Sequence, residues 1–329
     1  MRSLRPTLLP TVTTLLVAST LAASLTGCGA SEPTADAATP QALTVGVVPS
    51  LELGLLTIAE EEGLLAEAGL ELDIVPVDSG PNVITGVVSG QYDLGYTAYA
   101  PPLLAVAEGA PLIAVSSTGT LGPDGANGGT VVRSEAGYQR FADLSGVSLG
   151  TNAPRSLFSL TLPASVDADG GDGSDIELVP LPFNEIGQAV ADGQVDAGVL
   201  LEPFLSQALE EYPDLVNLGD PSAPVLPQGS PQGLYLTSET TARDKAEAMA
   251  AFRDVLAEAI EIGNADLEAV KVAGAPLAGL DPELARALPL EPFDTTVSAE
   301  SLQPLVDLML EYDWITEAPD LTTFLADVQ

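Results

Sequence analysis

Apolar residues fall along this chain in short blocks separated by turn residues, and the blocks are of two kinds. Residues 43–48 and 72–77 are apolar-rich runs bounded by Gly, Pro and Asp, the signature of short buried strands. The segments after them carry helical spacing instead. In the second of these, Val83, Ile84, Val87 and Val88 share one face, Ser79 can cap the helix, Pro81 suits its first turn and Gly90 ends it. The spacing therefore predicts a β-α-β-α-β unit, and such alternation gives parallel sheets covered on both faces.

The unit occurs twice. Leu43-Thr44-Val45-Gly46 is echoed by Val147-Ser148-Leu149-Gly150, and residues 72–76 by residues 176–180, both at an offset of 104. Ser89-Gly90-Gln91-Tyr92-Asp93-Leu94-Gly95 matches Asp192-Gly193-Gln194-Val195-Asp196-Ala197-Gly198 at an offset of 103, and each is followed by a proline, at Pro101 and Pro203. Residues 129–134 align with residues 233–238, again 104 apart. Four matches in one order at one offset imply two similar structural units. A second-unit helix is expected from about residue 184 to 191, ended by Gly193.

Residues 241–329 have no counterpart in the repeat and read as helical, over residues 246–262, from Asp281-Pro282-Glu283 onward, and over residues 302–310. This tail is expected to return to the first unit and cover it. The expected division is lobe 1 from residues 43–134 and 235–329 and lobe 2 from residues 135–234, with crossings near residues 133–137 and 232–235.

The first 42 residues change the compartment. Arg2 and Arg5 precede an apolar run, residues 7–24, that ends in Leu25-Thr26-Gly27-Cys28, the layout of a secretory signal peptide over residues 1–27. The last four residues resemble the lipobox of bacterial lipoproteins, which implies cleavage before Cys28 and a lipid on its sulfur. Residues 29–42 carry no large apolar side chain, and residues 28–42 read as a flexible tether. Cys28 is the only cysteine, so no disulfide is expected and stability must come from burial.

Charge excludes one class of partner. The chain has 47 carboxylates against 10 Lys and Arg, a net charge of −37, and loss of Arg2 and Arg5 makes it −39. Such a surface repels nucleic acid and suits a salty or acidic exterior.

Several segments together resemble a known family, the substrate-binding proteins of ABC importers for nitrate, taurine, alkanesulfonates and thiamine-precursor pyrimidines. They are residues 45–50 with 59–63, Ser79-Gly80-Pro81 with residues 89–93, residues 142–146, Asp196-Ala197 with Glu202-Pro203-Phe204, and residues 302–321. The resemblance implies an α/β architecture of the type II periplasmic-binding-protein fold, two doubly wound lobes joined by a two-strand hinge. It also implies a monomer outside the cytoplasm that delivers a small molecule to a membrane permease and its ATPase.

In parallel α/β sheets ligands bind beyond the carboxyl ends of the strands, where helix N-termini offer free N–H groups. The repeat supplies such loops in pairs: residues 49–52 with 153–156, 78–82 with 182–185, and 96–101 with 200–203. Arg155 is the only cation among them and could hold an anion. Ser50, Ser79, Asn82, Thr97 and Ser156 could donate to ligand oxygens or simply cap helices. Tyr96 and Tyr99 could stack on a planar ligand or pack in the core. Glu52 and Glu202 could bind an amine, although the Glu202-Pro203-Phe204 pattern also reads as structural.

These candidates leave a small organic anion or a planar nitrogenous metabolite as the expected ligand, with no cofactor. Asp167 to Asp175 hints at a calcium loop, but Gly171 and Leu178 stand where an EF-hand needs acidic ligands, so a solvated turn is expected. The absence of histidine and of any lysine before Lys245 removes His-based triads, His-ligated zinc and most Schiff-base chemistry. Binding is expected over catalysis; an exported sensor and a carboxylate-dependent enzyme on the same fold remain the alternatives.

Overall fold

The computed structural model describes residues 40–122 and 128–326. The expected signal peptide, Cys28 and the expected tether up to residue 39 lie outside the described residues. The first strand begins at Gln41, so residues 41 and 42 belong to the folded body and not to the expected tether.

Element order follows the alternation read from the sequence. The first part runs β1 (Gln41–Val47), α1 (Gly54–Glu61), α2 (Leu64–Glu67), β2 (Leu70–Pro76), α3 (Gly80–Ser89), β3 (Leu94–Ala98), α4 (Ala100–Ala107) and β4 (Leu112–Ser117). The second part runs β5 (Gly128–Arg133), β6 (Ser148–Thr151), α5 (Leu157–Ala168), β7 (Glu177–Pro180), α6 (Phe183–Ala191), β8 (Ala197–Leu201), α7 (Phe204–Glu211) and β9 (Leu215–Asn217). β10 (Gly233–Ser238) then leads to α8 (Glu239–Asp244), α9 (Ala246–Ala265), α10 (Leu267–Gly274), α11 (Pro282–Ala287), α12 (Ala299–Glu311) and α13 (Leu321–Phe324). The expected helix stops hold: Gly90 and Gly193 follow α3 and α6 with φ of 75° and 71°, which a residue without Cβ adopts freely.

Ten strands form two five-stranded sheets of identical topology, β2-β1-β3-β10-β4 and β7-β6-β8-β5-β9. The repeat is thus visible as structure: β1, β2, β3 and β10 occupy the places of β6, β7, β8 and β5. The sheets are mixed and not purely parallel. β10 runs antiparallel to β3 and β4, and β5 antiparallel to β8 and β9. Each antiparallel strand has just arrived from the other sheet, so each lobe is completed by a strand whose chain comes from its neighbour.

That strand exchange moves the first crossing. β5 was expected in lobe 1, within residues 43–134, but it pairs in the second sheet, so the crossing precedes Gly128. The two crossing segments also pair with each other. Leu121 N–H donates to Ser230 O at 2.7 Å, Gly229 N–H to Leu121 O at 2.9 Å, and Gln232 N–H to Gly119 O at 2.9 Å. Asp220, buried at the start of the return crossing, accepts from Gly128 N–H at 3.1 Å and Ser222 N–H at 2.7 Å. The hinge is therefore a hydrogen-bonded ribbon around residues 118–122 and 229–232.

Burial differs between the sheets. Lobe 1 has an apolar layer on each face: α1, α9 and α10 cover Leu43, Val45, Leu94 and Tyr235, while α3, α4, α12 and α13 cover Leu112, Ala114, Leu234 and Leu236. Alternation along β10 sends Tyr235 to one layer and its neighbours to the other. Lobe 2 has one cluster of its own around Val131, Leu149, Ile186 and Val199.

α5 belongs to both lobes. Phe158, Leu162 and Val166 pack into the lobe 2 cluster, whereas Leu157, Leu160 and Ala164 join the layer formed with α12 of lobe 1. Each set is three to four residues apart, so the helix is apolar on two opposite faces. The Asp167 segment beyond α5 is a turn, as expected, with Asp167 Oδ1 accepting from Gly173 N–H at 2.7 Å and Asp172 Oδ1 from Ser174 N–H at 3.0 Å.

Candidate functional site

The three paired loops meet. Between the carboxyl ends of the two sheets lies a cavity of about 110 Å³. Val48, Ser50, Leu51 and Glu52 come from the loop after β1, Gly80 from the start of α3, Tyr96 to Ala98 from β3, and Pro101 from α4. The opposite wall is Asn152 and Ser156 to Phe158 after β6, Phe183 after β7, and Leu201 with Glu202 at the end of β8. The hinge contributes Gln232 and Gly233, and the segment after α11 contributes Pro289 and Leu290.

Glu52 is the polar centre of the lobe 1 wall. It lies between buried Leu51 and Leu53, which anchor the short turn leading into α1. The Tyr96 hydroxyl donates a short hydrogen bond to Glu52 Oε2, and Ser50 Oγ approaches the same oxygen at 3.4 Å. Burial pushes the Glu52 carboxyl above its ordinary range, against the opposing pull of those two hydroxyls. Burial and the neighbouring carboxylate together push the Tyr96 hydroxyl well above 10, so it remains a donor. The Tyr96 ring is committed as well, packed on Tyr235 with centroids 4.7 Å apart, and Tyr235 stands edge-on to Phe252 at 5.2 Å.

Glu202 is its counterpart across the cleft. It is buried, and its carboxylate accepts from Ser206 N–H at 3.1 Å and Ser206 Oγ–H at 2.9 Å, closing the first turn of α7. Burial raises its pKa too, with the Ser206 bonds pulling the other way. Stacked Phe183 and Phe204, 5.4 Å between centroids, bring an aromatic pair against the same wall.

The ten candidate residues separate. Ser50, Glu52, Tyr96, Thr97, Ser156 and Glu202 line the cavity. Ser79 is buried one residue behind Gly80, and Asn82 points to solvent from the first turn of α3. Tyr99 is buried in the lobe 1 core and does not line the cavity; alternation past the end of β3 turns it away. Arg155 is outside as well. It is about half exposed, pairs with Glu108 at 3.2 Å and donates to Trp314 O at 3.2 Å, so it ties lobe 2 to lobe 1 on the exterior. The expected anion contact is thus an inter-lobe surface pair, and no Lys or Arg is found among the described residues lining the cavity.

Asn152 was missed by one position, since the expected loop began at residue 153. Its Nδ2 approaches Asp78 O across the lobes at 3.5 Å, while its buried Oδ1 has no hydrogen-bond partner. A buried acceptor without a partner carries a desolvation cost that a hydrogen-bond donor would relieve. Pro289 and Leu290 had no repeat partner to reveal them; Phe183 falls within the expected cleft loop 182–185 without having been singled out, and Phe158 lies two residues beyond the expected loop 153–156.

A family described as NMT1/THI5 like matches residues 52–266. A putative binding protein of Brucella abortus (strain 2308) is 24% identical over 164 residues, covering 50% of this chain and 49% of that protein. A formylaminopyrimidine-binding protein of Halalkalibacterium halodurans is 27% identical over 216 residues, covering 60% of this chain and 58% of that protein. The chain thus spans about half the length of the first of these curated relatives. Among solved structures, the periplasmic aliphatic sulphonate binding protein of Escherichia coli superposes with a TM-score of 0.68 at 23% identity, covering 87% of this chain and 97% of that one.

Proposed function

As the chain belongs to the NMT1/THI5-like family, we propose that it is a non-enzymatic solute-binding protein that encloses a small molecule between its lobes and passes it to an ABC importer. The observation that carries this reading is the cavity itself, walled by matching loops from two sheets that are joined by a paired hinge. A ligand touching both walls gains contacts only when the lobes are together, so it favours the closed arrangement by that difference in contact energy. A permease that recognises the closed form would then sample loaded protein selectively.

Several features belong to the same reading. The relatives are named as binding proteins, and the solved relative as periplasmic. No helix among the described residues is long and apolar enough to cross a membrane. The protein would act outside the cytoplasm as a monomer, held to the membrane through lipidated Cys28. The chain has no histidine, and the cleft carboxylates are engaged by lobe hydroxyls, which supports binding over catalysis.

The test is a thermal-shift screen against a library of small metabolites, with solution scattering on each hit. A ligand at 100 times its dissociation constant adds about 2.7 kcal/mol of stability. Capture by closure requires that such a ligand also reduce the radius of gyration. Hits that stabilise without compaction, or no hit across the library, would remove the clamp reading.

A further inference from the structure

Resting on that capture reading, we propose that closing the empty cleft takes up protons, so that the lobes stay apart while Glu52 and Glu202 are ionised and come together as acid neutralises them. The two carboxylates stand on opposite walls of one small cavity, Glu52 on lobe 1 and Glu202 on lobe 2, and no lining Lys or Arg among the described residues balances them. Bringing the walls together strips cleft water from both. It also moves two like charges toward each other in a less polar medium, and both effects penalise the ionised forms.

The coupling is to closure, and not to folding alone, because of where the hydrogen bonds lie. Glu52 is held by Ser50 and Tyr96, all within lobe 1, and Glu202 by Ser206, within lobe 2. Those bonds favour the ionised forms, but they stay intact when the lobes part. Only cleft water and the facing acid differ between the open and closed arrangements. Burial is the largest influence on each carboxyl, raising it above its ordinary range against the hydroxyl bonds that lower it.

The surrounding groups leave the two acids uncompensated. Behind Tyr96 stands the Tyr235 hydroxyl, raised well above its ordinary value by burial and by Glu52, so it stays neutral. α10 packs on the Glu52 turn, with Gly274 against the Leu51 carbonyl, but its Lys271 is committed to the Arg286 and Leu288 carbonyls at 2.6 and 3.1 Å. On the other wall, Glu185 of α6 is exposed, and Gly128 of β5, paired beside Leu201, leads only to Asp220, whose carboxylate is held by two backbone amides. No cation is brought to either acid.

The sign of the effect follows from linkage. A carboxyl whose value is higher in the closed form favours closure fully below its open-form value and ceases to do so as pH rises through its closed-form value. Between those values each such group changes the closed-to-open ratio at most about tenfold per pH unit, and two groups at most about a hundredfold. At neutral pH the empty protein is thus held open to receive a ligand, and in acid it shuts without one.

The experiment needs no ligand. Solution scattering on the chain after signal removal, in high salt to screen the acidic surface, would follow the radius of gyration from about pH 8 to about pH 5, above the ordinary carboxylate range. The parent protein is expected to compact as pH falls. Glu52→Gln and Glu202→Gln, which keep an oxygen for Tyr96 or Ser206, should each be more compact at pH 8 and respond with half the steepness. The double variant should be compact and flat throughout. Glu61→Gln, on the exposed side of α1, should follow the parent and so separate the cleft acids from general charge. Melting temperatures check that each fold is kept, and if one variant fails, the other single variant carries the comparison. A parent radius that does not change with pH overturns the proposal, as do cleft variants that track the parent. Either result leaves capture standing wherever a library ligand still compacts the protein at fixed pH, whereas compaction by neither acid nor any ligand removes both readings.

Discussion

The two lobes share one topology and one sequence repeat, yet they have divided the chemistry between them. Glu52 in lobe 1 aligns with Ser156 in lobe 2 at the offset of 104, and Glu202 in lobe 2 with Tyr99 in lobe 1 at 103. Each lobe therefore brings one acid to the cleft from a different loop, and the aligned residue opposite is not a second acid. At one of these aligned pairs, Glu52 and Ser156, both side chains reach the cavity; at the other, Glu202 lines it while Tyr99 is buried in the lobe 1 core. What the repeat preserved is structural: Asp93 Oδ2 accepts from Thr44 N–H at 3.0 Å in lobe 1, and Asp196 Oδ2 from Ser148 N–H at 2.9 Å in lobe 2. An acid after a helix stop holds the edge of the neighbouring strand in both units.

The largest expected difference between the lobes sits at an aligned pair of glycines. A Cβ on Gly46 would lie 2.4 Å from the buried Tyr92 ring, whereas one on Gly150 would first meet Ile186 at 3.3 Å. Gly46→Ala should cost about 1–3 kcal/mol by overpacking, or roughly 5 °C in melting temperature for a chain of this size. Gly150→Ala should be nearly neutral, since the lost unfolded-state freedom of glycine offsets a mild contact. Equal losses in a thermal scan would mean that the two strands are packed equally tightly, against this difference.

Next in size is the cost of the buried acid. Folding raises the Glu52 pKa, so the protonated form is favoured in the native state; the associated stability is full below about 4.3, the unfolded value, and is lost as pH rises through the folded value. Glu52→Gln should therefore raise the ligand-free melting temperature at pH 8 and leave it unchanged at pH 4. A constant difference across that range would show that ionisation of Glu52 is not the source.

Asp196 behaves in the opposite sense. The Ser148 backbone N–H and side-chain hydroxyl hold its carboxyl below the ordinary range, opposed by slight burial, with Arg133 adding to the lowering. Its contribution is present above about 3.9, the unfolded value, and is lost as pH falls through the lower folded value. Asp196→Asn should lower stability at neutral pH and flatten its fall in acid below pH 4, measured by denaturant melts. A curve parallel to that of the parent protein would assign the anchoring to Ser148 alone.

Smallest is the exterior tie. Arg155→Ala removes an exposed ion pair worth about 0.2–1 kcal/mol, screened by salt, and should leave cleft affinity within about twofold because Arg155 is outside the cavity. A tenfold loss for any cleft ligand would place the guanidinium in the site after all.

The sequence repeat disclosed the α/β alternation and which loops would face one another, because strand and helix periods are local properties of a segment. It could not show the antiparallel strands that close each sheet, since residues 128–133 look the same whichever sheet receives them. Six of ten candidate side chains reach the cavity, those on or beside the strand ends. Tyr99 and Arg155 were misjudged because facing in or out beyond a strand end depends on the turn that follows. Asn152 was invisible because an unpartnered acceptor exists only once its surroundings are folded. α5 defeats a one-face reading for the same reason, being covered on both sides by parts of the chain far away in sequence.

That shared helix limits how the molecule can be divided. Residues 128–232 contain a complete five-stranded sheet, yet excised alone they would carry Leu157, Leu160 and Ala164 without their cover from α12. An uncovered apolar strip of that kind promotes self-association. Recombining lobes between relatives to change ligand preference would therefore succeed at the seam of α5 and α12, with both helices inherited from the same parent, and not at the hinge where the chain visibly crosses.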